Sequence, residues 1–248
     1  MVTRSEIKYI QSLGDKKARD QDGVVVAEGD KIVTELLNES PLQIKKIYAT
    51  QHWISDNGHL IPDACTVAAL EEEELQKLSF LVSPPSVIAL VLKPNPPSVN
   101  TVHGISLLLD QIQDPGNLGT IIRTCDWFGV SQIVCSADTA DAFNPKVIQS
   151  SMGSVFRVPI SYTDLNQFIQ QHPTVPLYAA LLDGQPITNV QCKKPCFLLV
   201  GNESRGVSEK LLRTGVQKIT IPRVGKAESL NAAVASAILL SWLSQSAT

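Results

Sequence analysis

The most constraining feature of this 248-residue sequence is a series of short apolar runs in its second half, each ending at polar or glycine-rich residues. Nearly continuous apolar strands are typical of a parallel sheet that is covered on both faces. Such sheets bind ligands at the carboxyl ends of their strands, which is where the polar residues lie here. The sequence therefore predicts a parallel α/β domain with a ligand site at one edge. The strand candidates are residues 105–109, 132–135, 177–182, 197–200 and 219–221.

A proline-rich stretch, KPNPPSVNT at residues 93–101, divides the chain. Its prolines disfavour both helix and sheet, and such segments make good spacers. We therefore predict two domains, residues 1–95 and residues 102–248. Helical and strand patterns alternate in the first, which predicts a small α/β domain whose first helix is capped by Ser5. Its predicted strands are residues 24–27, 44–49 and 87–92, and its other helices start at Asp30 and in residues 71–80.

Composition narrows the class of protein. The formal net charge is −3, so a nucleic-acid-binding surface would need locally concentrated basic groups. An odd count of five cysteines does not suggest a secreted disulfide scaffold, and the N-terminus has no apolar signal sequence. The longest mostly apolar stretch, residues 230–243, is shorter than the roughly 20 residues that cross a bilayer. We expect a cytoplasmic protein without a membrane span.

Metal and nucleotide motifs are missing from the sequence. Cys192 and Cys196 are separated by three residues and the four histidines are scattered, so no four-ligand zinc set emerges. We therefore expect no metal site and read these cysteines as structural. There is also no Gly-x-Gly-x-x-Gly dinucleotide turn and no Walker A loop.

The first stretch with chemical content is DQIQDPGNLGTIIRTCDWFG, residues 110–129. A strand ends near Asp110, and a helix is predicted to begin near Asn117 after a Pro-Gly turn. Arg123 lies five residues after the apolar Leu118, roughly 140° away around the helix. Arg123 should therefore point away from the core, while Asn117 lies at the start of the helix. The alternative interpretation is a helix cap and a solvated arginine.

The second stretch is FLLVGNESRGVS, residues 197–208, in which an apolar strand runs directly into Gly-Asn-Glu-Ser-Arg-Gly. Glycines at a strand end let the backbone approach a ligand closely. Main-chain groups there could read an adenine edge, and Glu203 would place a charge at the opening. The alternative is an ordinary turn with exposed polar residues.

The third stretch is ITIPRVGKAESLNAAVASAILLSWL, residues 219–243. A strand ends at Pro222, and a loop then leads to Ser229 and an apolar helix. Ser229 has a structural interpretation as the helix N-cap. Asn231 is less easily explained, because asparagine is a mediocre helix former within an alanine-rich run. The helix is apolar around much of its circumference, which predicts deep burial or a subunit interface.

In this order and spacing, the three stretches resemble the signature motifs of the SpoU–TrmH family of RNA methyltransferases within the SPOUT superfamily. The resemblance covers about residues 102–248, and residues 144–160 share it. The front domain more loosely resembles the substrate-binding domain of these enzymes. Arg223 departs from the family, in which methionine is common at this position. The matching positions are Asn117, Gly119 and Arg123, then Gly201, Asn202, Glu203 and Gly206, then Ile221, Pro222, Glu228, Ser229, Leu230 and Asn231.

The resemblance implies a fold, a cofactor and a partner. The fold is a parallel sheet whose C-terminal segment is threaded into a trefoil knot, and the knot loops bind S-adenosylmethionine. The family acts as a homodimer with its last helix in the interface. The residues that the resemblance assigns to the cofactor are Leu181, Gly201, Asn202, Gly206, Ile221, Pro222 and Leu230.

The activity implied is methyl transfer to a ribose 2′-hydroxyl of structured ribosomal or transfer RNA. Arg123 is the family's catalytic arginine by position. A guanidinium is a poor base, so we favour a role in orienting the ribose–phosphate and stabilising developing alkoxide charge. The resemblance places Asn117, Glu203, Ser229 and Asn231 around it, in a site that two subunits could share. In the front domain, Lys16, Lys17 and Arg19 are the candidate RNA-binding residues, with a solvated helix end as the alternative.

Two other functions stay open from sequence. A sister enzyme on the same fold would methylate a base nitrogen, but it should need a general base of matched pKa, and this site offers arginine, serine and asparagine. A non-catalytic RNA-binding assembly factor would be favoured by loss of Arg123 or Asn117, and both are present.

Overall fold

Two separate β-sheets organise the chain in the computed structural model, which describes residues 1–40, 43–95, 102–212 and 215–245. One compact unit comprises the described residues of Met1–Asn95 together with Phe143–Gly153. The other comprises those of Pro96–Ala142 and Ser154–Thr248. Most of the proline-rich stretch at 93–101, namely residues 96–101, lies outside the described residues. No described helix is both long and apolar enough to cross a membrane.

The first unit is built on a four-stranded sheet of order β1-β4-β2-β3. β4 is antiparallel to both of its neighbours, and β2 is parallel to β3. Every residue of β1 is buried, because helices cover the sheet. The elements are α1 (Arg4–Ser12), α2 (Lys16–Asp22), β1 (Val24–Glu28), α3 (Asp30–Glu39), β2 (Ile44–Ala49), α4 (Gln51–Asn57), β3 (Thr66–Ala69), α5 (Glu72–Leu78), β4 (Val87–Leu92) and, later in the chain, α7 (Pro145–Ser150).

Thr3, not Ser5, caps the first helix, so the predicted cap was wrong. The Thr3 hydroxyl accepts a hydrogen bond from the Glu6 backbone N–H, and the Glu6 carboxylate accepts one from the Thr3 backbone N–H, which forms a capping box. Glu6 also accepts a hydrogen bond from the Lys46 ammonium at 2.8 Å. This bond and those from Thr3 lower the pKa of Glu6 from 4.5 to about 2.

Replacing Glu6 by glutamine should destabilise the protein by about 0.2–1 kcal/mol at pH 7, because the partly exposed ion pair with Lys46 is lost while glutamine can still complete the capping box. A carboxylate whose pKa is depressed on folding stabilises above its unfolded pKa and loses this effect as the pH falls. The difference should therefore shrink between pH 4.5 and pH 2. Urea unfolding at several pH values measures it. The exposed Glu73, replaced in the same way, is the control for the loss of one surface carboxylate.

Arg19 is buried, with 1% of its surface exposed. Its Nη1 donates hydrogen bonds to the carbonyls of Leu13 and Gly14, both at 2.7 Å, and so fixes the turn between α1 and α2. Arg19 therefore cannot belong to an exposed basic patch, and its prediction as an RNA-binding residue was wrong. Lys16 and Lys17 are exposed.

The second unit contains a six-stranded sheet of order β10-β8-β9-β5-β6-β7, in which all pairs are parallel. This confirms the predicted parallel α/β fold. All of β5 is buried at the centre, as expected for a strand covered on both faces. The elements are β5 (Ile105–Asp110), α6 (Pro115–Trp127), β6 (Gln132–Cys135), β7 (Ile160–Tyr162), α8 (Leu165–Gln171), β8 (Leu177–Pro186), β9 (Cys196–Gly201), β10 (Gln217–Thr220) and α9 (Ala232–Gln245).

The differences from prediction in this unit are one missed strand and several element ends, including that of β8, which runs to Pro186 and not to residue 182. β7, with three residues, was not predicted, and its pattern is too short to stand out. β10 ends at Thr220, so Ile221 belongs to the following loop. The helix predicted near Asn117 begins two residues earlier, at Pro115, because the Asp114 carboxylate caps it by accepting from the Asn117 N–H.

Candidate active site

A cavity of about 660 Å³ opens where three neighbouring strands, β10, β8 and β9, approach their carboxyl ends. Residues 180–182, 200–206 and 219–225, followed by the segment that leads into α9, form its walls. The volume is in the range of about 300–1,000 Å³ that small-molecule sites occupy. The lining includes every residue predicted to contact the cofactor: Leu181, Gly201, Asn202, Gly206, Ile221, Pro222 and Leu230.

A tight turn after β9 forms one wall of the cavity. The backbone N–H and C=O of Asn202 bond those of Gly206, and the Asn202 side chain accepts from the N–H groups of Ser204 and Arg205. A Cβ on Gly201 would lie 2.3 Å from the carbonyl carbon and oxygen of Gly206, too close for any other residue. Gly206 has φ +69°, the left-handed region that favours glycine. Both glycines are therefore needed for the turn.

A chain of three side chains links the sequence motifs at this cavity. The Asn231 amide donates to the Asn117 carbonyl oxygen at 2.9 Å, and the Asn117 amide donates to the Glu203 carboxylate at 2.6 Å. Asn117 comes from the first turn of α6, Glu203 from the loop after β9, and Asn231 from the segment before α9. Residues 86 and 114 positions apart in sequence thus meet at one place.

Asn231, not Ser229, caps the last helix. Its side-chain oxygen accepts from the N–H groups of Ala233 and Val234, at 2.9 and 3.3 Å. The structural interpretation of Ser229 as an N-cap was therefore wrong, and Ser229 is an exposed residue of the cavity lining. This explains the asparagine at position 231, because its side-chain oxygen caps the helix while its side-chain N–H group donates to Asn117.

Arg123 lies on the exposed face of α6, whereas Leu118, Ile121 and Ile122 of the same helix are buried. Its side chain has no hydrogen bond or ion pair with any other residue in the described part of the chain. Within one chain it does not line the cavity, and neither do Asn117 and Asn231. Asn117 and Asn231 are joined to the lining through Glu203, and Arg123 is not.

Sequence reasoning missed two residues that hold the site together from the end of β5. The buried Asp110 carboxylate accepts from the Ser208 N–H at 2.7 Å. The carbonyl of Gln111, which has a left-handed φ of 59°, accepts from the Asn202 side chain at 2.9 Å. An acidic residue that ends a buried apolar strand was the available signal. These bonds fix the 201–208 loop against the neighbouring strand.

The cysteines lie apart from the cavity lining. All five are free thiols, and four of them are buried. A hydrogen bond between Cys192 and Cys196 lowers the pKa of Cys192 and raises that of Cys196. No group of three or more potential metal ligands occurs within residues 1–40, 43–95, 102–212 and 215–245.

Fold and site together define a class of protein: a parallel α/β domain that binds a small ligand at the strand ends, beside a constellation of amide and carboxylate groups. The model of the SpoU rRNA Methylase family matches residues 104–241, and that of the MRM3-like substrate binding domain matches residues 4–89. The chain belongs to the SpoU rRNA methylase family.

Relatives and solved structures agree with this assignment. The 23S rRNA (guanosine(2553)-2′-O)-methyltransferase of Bacillus subtilis is 34% identical, over 95% of this chain and 94% of that protein. A putative RNA methyltransferase of the TrmH family from Porphyromonas gingivalis is similar in structure, with 34% identity, a TM-score of 0.86 and 98% of both chains covered. An AdoMet-bound rRNA methyltransferase from Sinorhizobium meliloti has 30% identity and a TM-score of 0.86, over 98% of this chain and 95% of that one.

Proposed function

We propose that this protein transfers a methyl group from S-adenosylmethionine to a ribose 2′-hydroxyl of structured RNA. The observation that carries the proposal is the hydrogen-bonded chain from Asn231 through Asn117 to Glu203, which joins all three motifs at one cavity. The name of the Bacillus subtilis relative specifies 2′-O-methylation of ribosomal RNA, and the Sinorhizobium meliloti structure contains AdoMet. The substrate class is ribosomal or transfer RNA.

The cavity fits S-adenosylmethionine in size and chemistry. Leu181, Ile221 and Leu230 offer apolar surface, and the turn between Gly201 and Gly206 brings main-chain groups to the same wall. Mostly apolar walls with a few placed polar groups are typical of cofactor sites. When bound, S-adenosylmethionine supplies the electrophilic methyl group of its sulfonium. Asn202 and Pro222 complete the set of residues that we assign to holding it.

Arg123 is the residue that we assign to the substrate. An exposed guanidinium without an internal partner is available to bind a phosphate and to stabilise the alkoxide that develops at the 2′-oxygen. Because Arg123 does not line its own chain's cavity, we infer that it serves the cavity of a second copy. Asn117, Glu203, Ser229 and Asn231 shape the site around the reacting ribose.

A homodimer is part of the same proposal. Leu230, Val234 and Ile238 expose 44%, 47% and 38% of their surface before and along α9, and four-residue steps place Val234 and Ile238 on one face. Exposed apolar side chains grouped on one helix indicate an interface. We place the last helix of each copy there, as the family resemblance implies.

We also infer that the C-terminal segment is knotted. Knots are rare, and the support for this one is the family to which the chain belongs. The cytoplasmic location remains a prediction.

We assign RNA selection to residues 1–95 and methyl transfer to residues 102–248. The match of residues 4–89 to the MRM3-like substrate binding domain supports the first assignment. Because the buried Arg19 is excluded as a candidate, the remaining candidate phosphate contacts are Lys16 and Lys17, which are exposed at the start of α2. Structured RNA is recognised mostly by its shape and by contacts to its 2′-hydroxyls and phosphates.

Mapping of 2′-O-methyl groups in RNA from cells with and without the gene tests this proposal. We expect at least one position to lose its methyl group in the deletion strain and to regain it with the wild-type gene. Identical maps from the two strains would contradict the proposal, and loss of a base methyl group instead would favour the sister activity.

A further inference from the structure

The exposed face of α6 carries an unusual aromatic residue. Trp127, the last residue of the helix, exposes 84% of its surface, although tryptophan is highly buried on average. Arg123 precedes it by four residues, so the two side chains lie about 40° apart around the axis and have neighbouring Cβ atoms. The indole and the guanidinium therefore share one face of the helix.

The charges around this pair favour an anionic occupant. The nearest acidic residue in sequence, Asp126, is neutralised because Arg157 donates to its carboxylate from Nε at 2.9 Å and from Nη2 at 2.7 Å. Arg123 has no partner among the residues that the structure describes. Positive charge on the face is thus uncompensated, while the acidic group beside it is already paired.

The polar surroundings distinguish this face from an apolar interface. Thr120 lies about one helical turn before Arg123, and Thr124 lies about one turn before Trp127. Their hydroxyls donate to the carbonyls of Gly116 and Thr120, respectively. On its own helix, the indole therefore has threonines and charged groups as its exposed neighbours. An aromatic platform beside a free cation matches a nucleotide, which offers a flat base and a phosphate together.

The helix also fixes the platform relative to Arg123, the residue that we assign to the substrate. Trp127 lies four residues after Arg123, about 6 Å along the axis, so both side chains face the same site, which we assign to a second copy. Buried side chains hold α6 in place, with Leu118, Ile121, Ile122 and Cys125 among them. An RNA strand that contacts Arg123 can thus also reach Trp127.

We propose that Trp127 is an RNA-binding residue that stacks on an unpaired base close to the nucleotide being methylated, while Arg123 contacts the adjoining phosphate. This proposal rests on the proposed function. Proteins recognise unpaired RNA bases by stacking them on aromatic side chains, and a stack is sequence-tolerant because every base has a flat face. Trp127 would therefore hold the strand in position without choosing a base.

Steady-state methylation of unmethylated ribosomal RNA, prepared from cells that lack the gene, tests the role in catalysis. Trp127→Ala should raise the KM for RNA about 5- to 150-fold, the size of one lost stack, with little change in kcat. Trp127→Phe keeps an aromatic ring, so its KM for RNA should lie close to that of the wild type. Calorimetry should find unchanged affinity for S-adenosylmethionine, and sedimentation an unchanged molecular mass. A wild-type KM in Trp127→Ala, or a smaller assembly, would overturn the proposal, the latter in favour of a second copy on this face.

Fluorescence separates failure of this proposal from failure of the proposed function. Of the three tryptophans, Trp53 is 4% exposed and the half-buried Trp242 packs against Tyr178, so Trp127 should dominate quenching by a stacked base. Polyuridylate should quench the wild type and the matched control Trp242→Phe, and should not quench Trp127→Phe. Equal quenching in Trp127→Phe would refute stacking even if the protein methylates nothing.

Discussion

Replacing Arg123 by alanine is expected to lower kcat for methyl transfer to RNA by about 10²–10³-fold, the usual effect of removing one donor that stabilises developing negative charge. The exposed position of the side chain predicts little change in folding. Because we assign Arg123 to the substrate and not to the cofactor, we expect little change in the affinity for S-adenosylmethionine. Single-turnover rates at saturating RNA, with calorimetry for the cofactor, measure both quantities.

Two further variants test whether the effect depends on the guanidinium and on its position. Arg123→Lys keeps the charge but loses the planar fork that binds phosphate bidentately, so it should recover only part of the rate. Arg4→Ala removes another exposed arginine, in the first turn of α1, and should leave the saturated rate close to wild type. A normal rate in Arg123→Ala would exclude the assigned role, and weaker cofactor binding would show that it contributes to the cavity itself.

Gly201→Ala should strongly weaken the binding of S-adenosylmethionine. The added Cβ would lie 2.3 Å from the carbonyl of Gly206 and 2.5 Å from the N–H of Val207, so the 201–206 turn would have to move. The turn has little freedom, because Asn202 is bonded to Gln111 and Ser208 to Asp110. We expect at least about 100-fold weaker binding, since displaced backbone is costly and cannot be relieved by a rotamer change.

Gly225→Ala is the matched control. Gly225 lines the same cavity, but nothing lies within 4 Å of a Cβ placed on it, and its backbone is not in the left-handed region. Cofactor affinity should therefore stay within about twofold of wild type, as for surface substitutions that meet no neighbour. Calorimetry on both variants, with circular dichroism to confirm folding, measures the contrast. Equal affinities would mean that the close packing at Gly201 does not support the cofactor site.

The sequence predicted the fold and the cavity from features that act locally. Apolar runs mark strands whatever their partners, and Gly201 follows such a run directly. The order of the strands in the sheet depends on contacts between residues that are distant in sequence. This order places the ends of β10, β8 and β9 next to one another. The family resemblance supplied that convergence, and spacing alone did not.

Individual side-chain roles were harder to predict because they depend on distant partners. Arg19 looks like a surface cation in a charged stretch, but the carbonyls of Leu13 and Gly14 draw it inward. Ser229 was the cap expected from sequence, but the Asn231 side chain caps the helix and also bonds Asn117, which is distant in sequence. In each case the deciding atom belongs to another part of the backbone or to another element, and periodicity contains no information about it.

The most direct test of the central claim is to incubate the purified protein with methyl-labelled S-adenosylmethionine and RNA from cells that lack the gene, and then to digest the RNA to nucleosides. The account predicts label on a 2′-O-methylated nucleoside, with the methyl group on the ribose. Label on a base, or no label in RNA although the protein binds the cofactor, would contradict it.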